Sequence, residues 1–292
     1  MIKPELKDRL LFLGPLLVLP GLLVAWPLFE IALLGFKNKV TLFGIDRWVG
    51  LSNYQYLFGE DLRFWKAVTN TLYFTGVSVA LEFVIGFAFA LYLRFGSGSV
   101  WWKTILLLPW AIPNVVSARL WQWMFHAEAG IVNHIMQTLG VVEGPVYWLA
   151  DPDLALHAAI LADVWKTMPF MTLLLFAGLQ RIPETMLMAA RVDRTPPLRL
   201  LMRILLPALR PAILTALVLR LLDAFRVFDV IYVMTGGGPA NSTETLSIYA
   251  YRTYFQALQF GYGSSVALMQ VGMMAALTWL AVTVVKDRRR AA

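Results

Sequence analysis

An all-helical protein that crosses a membrane several times is the fold class this sequence predicts, and three observations carry the prediction. Of its 292 residues, 59% are hydrophobic, and the mean hydropathy is +0.66. Charged residues make up 15%, against about 25% in soluble domains. The apolar residues are gathered into runs long enough for spans of about 20 residues each. There are no cysteines, which excludes disulfides and thiolate-held metals. The net charge of +7 reads as topology rather than nucleic-acid binding, because cytosolic loops of membrane proteins collect Lys and Arg.

Six spans are expected, in a single transmembrane domain over residues 1–292. The first runs from about Leu10 to Phe36, bent near Pro20 or Pro27, and is too long for a signal-peptide core. A polar, aromatic loop, Lys37 to Lys66, leads to the second, about Val68 to Leu93. A basic turn containing Gly96-Ser-Gly-Ser precedes the third, about Thr104 to Phe125, which Pro109 and Pro113 should break. His126 to Asp153 forms an acidic loop without Lys or Arg, and the fourth span follows, about Leu154 to Leu179. The fifth, about Arg203 to Met234, exceeds one crossing and should tilt or project. Thr235 to Tyr262 is a Gly-rich loop with an amphipathic piece, Thr245 to Leu258. The sixth span, about Gly263 to Val285, ends in Lys286-Asp-Arg-Arg-Arg290.

Six crossings put both termini on one side. Lys3, Lys7, Arg9, Arg94, Lys103, the Arg181–Arg203 stretch and Lys286 to Arg290 then share that side, which should be the cytosol. Between the fourth and fifth spans lies a distinctive segment. Glu184 to Val192 follows Pro183, begins with an acid and has Arg191 near its end, the charge order a helix dipole favours. Pro196 and Pro197 should stop it, and a second helix should restart around Leu198. The expectation is an elbow on the cytosolic surface.

This elbow resembles the cytosolic loop of ATP-binding-cassette importer permeases. That family's pattern is Glu-Ala-Ala, three residues, Gly, nine residues, Ile, one residue, Leu-Pro. Ala189-Ala190, Ile204 and Leu206-Pro207 match it, while Met188 stands where Glu is usual and Arg194 where Gly is usual. Asp223-Ala-Phe-Arg226-Val-Phe-Asp229, continuing to Gly236-Gly-Gly-Pro239 and Thr243 to Tyr249, is similar to sugar permeases of the maltose-transporter type. Asp163-Val-Trp-Lys166-Thr-Met-Pro-Phe170 is particularly similar to the first permease subunit of trehalose importers.

The resemblance covers Leu11 to Lys286 and implies the six-helix fold of type I importer permeases. It makes the stretch of about 184–195 a coupling helix, with Glu184, Met188, Ala189, Ala190, Asp193 and Arg194 meeting an ATPase. It implies sugar contacts from Trp110, Asn114, Asp163, Lys166, Thr167 and Phe170, and from positions matching Asp223, Ala224 and Val227. Its implied partners are a second homologous permease, two ATP-binding-cassette ATPase subunits and an extracytoplasmic sugar-binding protein.

The residues support part of this independently. Charges inside spans cost about 3 kcal/mol on the insertion scale, so they should face protein or a water-filled cavity. Glu82, Arg119, Asp163, Lys166, Arg220, Asp223, Arg226 and Asp229 are such charges. Asp163, Lys166, Thr167 and Phe170 lie at i, i+3, i+4 and i+7, on one helix face. Acceptor, donor and aromatic plane together suit a sugar. Arg226 joins them as a candidate contact. Equally open at this level is a structural role, Asp163 neutralised by Lys166 and Asp223 by Arg220 or Arg226. Glu82 and Arg119 read as structural or subunit-interface charges, and Trp101 and Trp102 as interfacial anchors. His126, His134 and His157 have no ligand-like companions.

No ATP site is legible. Gly98-Ser-Val-Trp-Trp-Lys103-Thr104 lacks the glycine directly before lysine and a strand before the loop. The chain is therefore expected to be a non-enzymatic transport subunit without cofactors of its own, ATP and Mg being used by its partners. It should reside in a bacterial or archaeal inner membrane and carry a disaccharide such as trehalose or maltose. Two alternatives stand: an ion-gradient-driven secondary transporter with Glu82, Asp163 and Asp223 as proton carriers, and the same machinery carrying glycerol phosphate.

Overall fold

The computed structural model describes residues 13–14, 18, 20–96 and 100–290, without the side chains of 100–103, 281–282 and 284–290. Lys3, Lys7, Arg9 and the start of the first expected span lie outside the described residues, as do the side chains of Trp101, Trp102, Lys103 and Lys286 to Arg290.

The chain is mostly helical. After a π-helical turn, Gly21–Ala25, come α1 (Trp26–Leu34), β1 (Lys37–Val40), β2 (Ile45–Trp48), α2 (Ser52–Gly59) and α3 (Leu62–Phe95). Next are α4 (Val100–Ala111), α5 (Asn114–Met124), α6 (Ile131–Thr138), α7 (Ala155–Gln180) and α8 (Glu184–Val192). A short α9 (Pro197–Leu200) runs through a π-helical turn, Leu201–Leu205, into α10 (Leu206–Phe225). The chain finishes with α11 (Asp229–Met234), α12 (Leu246–Tyr251) and α13 (Phe260–Arg290). Among the described residues, four helical stretches are long and apolar enough to cross a bilayer: Leu62–Phe95, Ala155–Gln180, Pro197–Phe225 and Phe260–Leu280. The bent pair of α4 and α5 supplies a fifth, and Gly21–Leu34 is a shorter apolar helix.

Two breaks differ from the expectation. Pro109 stays inside α4, and the third span breaks at Pro113 alone, where the chain turns by 98°. One proline deletes a single helical hydrogen bond, which a membrane helix tolerates. At Pro113 the backbone goes extended, with ψ 142°, and the helix cannot continue through it. The fifth span does not run on to Met234: α10 ends at Phe225, and Arg226 to Phe228 are non-helical before α11. The freed groups find partners. The Val227 amide donates to the Ala224 carbonyl at 3.1 Å, and the Val227 carbonyl accepts from the Thr245 hydroxyl at 3.3 Å.

Two compact units make up the chain. The first comprises residues 1–64 and 249–273. Its hairpin pairs Lys37 with Trp48 and Val40 with Ile45, and Gly44 takes the left-handed turn position at φ +63°. Asp61 accepts the Phe64 amide at 3.0 Å, capping α3 and starting it upstream of the expected Val68. The same carboxylate accepts the hydroxyls of Tyr249 and Tyr262. Burial and the bond to Asp61 hold the Tyr249 hydroxyl above its ordinary range. Gly261 admits no side chain, because a Cβ there would meet the Lys37 carbonyl oxygen at 1.9 Å.

The second unit comprises residues 65–248 and 274–292 and contains the candidate site. Its largest core joins Val79 and Ala90 of α3, Met171, Leu175 and Leu179 of α7, Leu187 of α8, and Leu209 and Ala216 of α10. Small residues bring these helices close. A Cβ on Gly178 would sit 2.5 Å from the Cβ of Ala212, and one on Gly86 would sit 3.2 Å from the Thr172 amide nitrogen.

Candidate functional site

The two helix breaks open onto one cavity of about 250 Å³. Asn114 and Ser117 of α5, Asp163, Lys166 and Thr167 of α7, and Asp223, Arg226 and Asp229 around the α10–α11 break supply its polar wall. Helical spacing on α7 is what places Asp163, Lys166 and Thr167 together. One turn further, Phe170 stacks on Trp110 of α4, with centroids 5.8 Å apart and planes 19° from parallel. Asn114 donates to Asp229 at 2.8 Å, and Arg226 donates to Asp223 at 3.1 Å. Of the two further positions, Val227 lines the cavity and Ala224 is buried in the core.

Asp223 pairs with both Arg220 and Arg226, as local spacing suggests, but Asp163 pairs otherwise. Asp163 is not bound to Lys166. Its partner is Arg220, whose Nη2 lies 3.3 Å from the carboxylate. Lys166 instead donates to the Ile112 carbonyl at 2.5 Å, the acceptor that the Pro113 break leaves without a helical partner. An ammonium has three donors, so Lys166 can cap the broken helix and still present protons to the cavity.

Arg220 is the organising group. Its Nε and Nη2 grip Glu82 in a fork at 2.6 and 2.7 Å, and Nη1 reaches Asp223 at 2.5 Å. Glu82 is fully buried, and the Arg220 side chain is 3% exposed. Thr167 closes the network, its hydroxyl 2.8 Å from Glu82 and 3.2 Å from Arg220 Nη2. A buried charge is tolerable only when paired and hydrogen-bonded, and this fork meets both conditions. Its far edge points two carboxylates toward the cavity. Arg220 was missed as a site residue, because 138 residues separate it from Glu82. The one local signal was its i, i+3 spacing to Asp223.

The second candidate region is the elbow. α8 occupies Glu184–Val192, with Glu184 in its first turn and Arg191 in its last. Pro196 is extended and Pro197 opens the next helix. Leu187 and Ala190 are buried, and Leu187 packs into the chain's own core. Glu184, Met188, Ala189, Asp193 and Arg194 are exposed. Glu184 pairs with Arg94 at the end of α3. Arg194 adopts φ +48°, the left-handed conformation that glycine takes without cost. The amide after it, Thr195, closes the turn on the Ala190 carbonyl at 2.9 Å.

Among the described residues no group of three or more His, Asp or Glu is arranged to hold a metal.

Residues 82–290 match the family model for the binding-protein-dependent transport system inner membrane component. The trehalose/maltose transport system permease protein MalF of Thermococcus litoralis is 39% identical, over 98% of this chain and 97% of its own length. The sulfoquinovosyl glycerol transport system permease protein SmoG of Agrobacterium fabrum is 34% identical, over 97% of this chain and 93% of its own. A chain in the crystal structure of a bacterial ABC transporter that imports the acidic polysaccharide alginate superposes with a TM-score of 0.83, at 23% identity over 96% of each chain, and so shares the fold. The chain belongs to the binding-protein-dependent transport system inner membrane components, the multi-pass permeases of ATP-binding-cassette importers.

Proposed function

We propose that this permease forms half of the translocation path of an ATP-driven importer for a disaccharide of the trehalose or maltose kind. The cavity carries the reading. Its wall has three carboxylates, Asp163, Asp223 and Asp229, and two cations, Lys166 and Arg226. That is a mixture of acceptors and donors for neutral hydroxyls, whereas a phosphate would want an excess of cations. The contacts we assign to the sugar are Trp110, Asn114, Asp163, Lys166, Thr167, Phe170, Asp223 and Arg226, with the Trp110–Phe170 stack offering an apolar ring face. The volume of about 250 Å³ falls just under the roughly 300–1,000 Å³ of ligand sites. That suits a half-site completed by a second permease. The names of the trehalose/maltose and sulfoquinovosyl glycerol relatives support a carbohydrate cargo.

Energy comes from two partner ATPases that grip the exposed face of α8, at Glu184, Met188, Ala189, Asp193 and Arg194. Ala190 acts from beneath, seating the helix on the core. Because Leu187 packs in the same core as Leu175 and Leu179 of α7, a push on α8 moves α7, whose N-terminal half carries Asp163 and Lys166. Alternating access then requires only that the sugar and the nucleotide-bound ATPases prefer different states. A sugar-binding protein delivers cargo on the outer side, and both termini lie in the cytosol.

Reconstitution of the assembled importer tests this. Uptake of labelled trehalose or maltose is expected to follow internal ATP and to survive a protonophore, and Asp163→Asn is expected to abolish it with assembly intact. Uptake that follows the proton gradient, or that accepts glycerol phosphate and refuses neutral disaccharides, overturns the reading.

A further inference from the structure

A second cavity, of about 790 Å³, lies at the other end of the α5–α11 pair. Two hydrogen bonds make that pair parallel. Asn114 to Asp229, at 2.8 Å, joins the N-terminal ends, and Gln122 to the Met234 carbonyl, at 3.1 Å, joins the C-terminal ends. Asn114 and Asp229 line the first cavity; Gln122, Trp123 and Met234 line the second. A helix rises about 1.5 Å per residue, so Trp123 stands roughly 13 Å along the axis from Asn114.

The second cavity has its own recognition chemistry. Trp123 and Tyr147 are 66% and 58% exposed and offer open ring faces. Gln122, anchored on Met234, holds Arg119 by accepting its Nη1 at 2.7 Å. Among the described residues no carboxylate pairs with Arg119, whereas Arg220 is fully engaged by three. A guanidinium has five donors, so most of those of Arg119 remain for a ligand, and an unpaired cation within a spanning helix marks a functional position. His126 Nδ1 faces the amides of Glu128 and Ala129 at 3.4 and 3.3 Å, which puts the ring proton on Nε2. Glu128 adds an acceptor to the same wall, so the pocket is not simply cationic. Fixed planar donors beside open aromatic faces suit a sugar ring; a surface merely facing lipid tails would carry no such held donors.

We infer that this cavity is a second carbohydrate subsite, which takes the distal rings of a saccharide of three or four sugars while the first cavity holds its leading rings. The inference rests on the sugar reading of the first cavity, and the test separates the two. The reconstituted importer is offered neutral glucose oligosaccharides of two, three and four rings. Trp123→Ala and Tyr147→Ala are expected to lower uptake of the longer two about tenfold, the size of one lost ring stack, and to leave disaccharide uptake within about twofold. Arg119→Gln should act the same way, with partial rescue by Arg119→Lys. An equal loss at every length would make the surface a docking or assembly contact and overturn the subsite. So would unchanged uptake at every length, or a wild type that carries two rings and nothing longer. A wild type that carries no neutral disaccharide sinks the sugar reading, and the subsite with it.

Discussion

Arg220 shows how much one side chain can decide. Glu82, Asp163 and Asp223 all bond to its guanidinium. Removing it alone strands the fully buried Glu82, and breaking a buried pair from one side costs about 3–5 kcal/mol. Arg220→Leu is therefore expected to lower the thermal midpoint of the purified complex sharply. The double variant Glu82→Leu with Arg220→Leu should recover most of that loss. It should still fail in sugar uptake, because Asp163 loses its anchor and Asp223 keeps Arg226 alone. If the double variant transports normally, the fork serves stability alone. At this scale the sequence was partly legible. The α7 face could be read because helical periodicity is local, and the elbow because its prolines and charges are local. The partner of Asp163 could not, since Arg220 arrives from a different helix. For Lys166 the sequence offers a sugar contact or a pair with Asp163, and only the break at Ile112 shows what it caps.

At the scale of elements, length and hydropathy served well where a helix is one unbroken run. α7 was expected over about Leu154 to Leu179 and is found over Ala155–Gln180. They served poorly where a tertiary contact ends a helix. Arg226 is the one polar residue between Phe225 and Phe228, and no proline or glycine marks the break there; Thr245 satisfies it from a distant loop. The hairpin and α6 were hidden in segments read as loops, for they are short and owe their form to what packs on them. Close helix approach is also decided at this scale. Gly178 of α7 faces Ala212 of α10, and an added Cβ would lie 2.5 Å from its neighbour. Gly178→Ala should overpack the contact, costing about 1–3 kcal/mol, read as a fall in the thermal midpoint. Gly76, with nothing near it, is the control: Gly76→Ala should be neutral or slightly stabilising. Equal effects at both positions would refute the packing account.

For the whole molecule, the proposed work is mechanical, and the elbow is where it enters. Ala189 is exposed on α8 and Ala190 is buried beneath it. Ala189→Asp is therefore expected to leave the stability within about 0.5 kcal/mol, as exposed substitutions do, while uncoupling ATP hydrolysis from uptake. Ala190→Asp should instead destabilise the seat of α8, through an unpaired buried charge. Coupled transport by the Ala189 variant, at wild-type efficiency, would remove α8 as the transmission point.

Composition and hydropathy alone determined that this chain is a helical membrane protein, because long unbroken apolar runs satisfy their backbone in a bilayer as helices, whereas barrel strands are short and alternate. Periodicity and proline placement determined the α7 face and the elbow. Tertiary structure decided which charges meet, where the third and fifth spans break, and that both breaks open onto one cavity. Those outcomes depend on groups far apart in the chain, whose desolvation becomes tolerable only when folding brings their partners within hydrogen-bond reach.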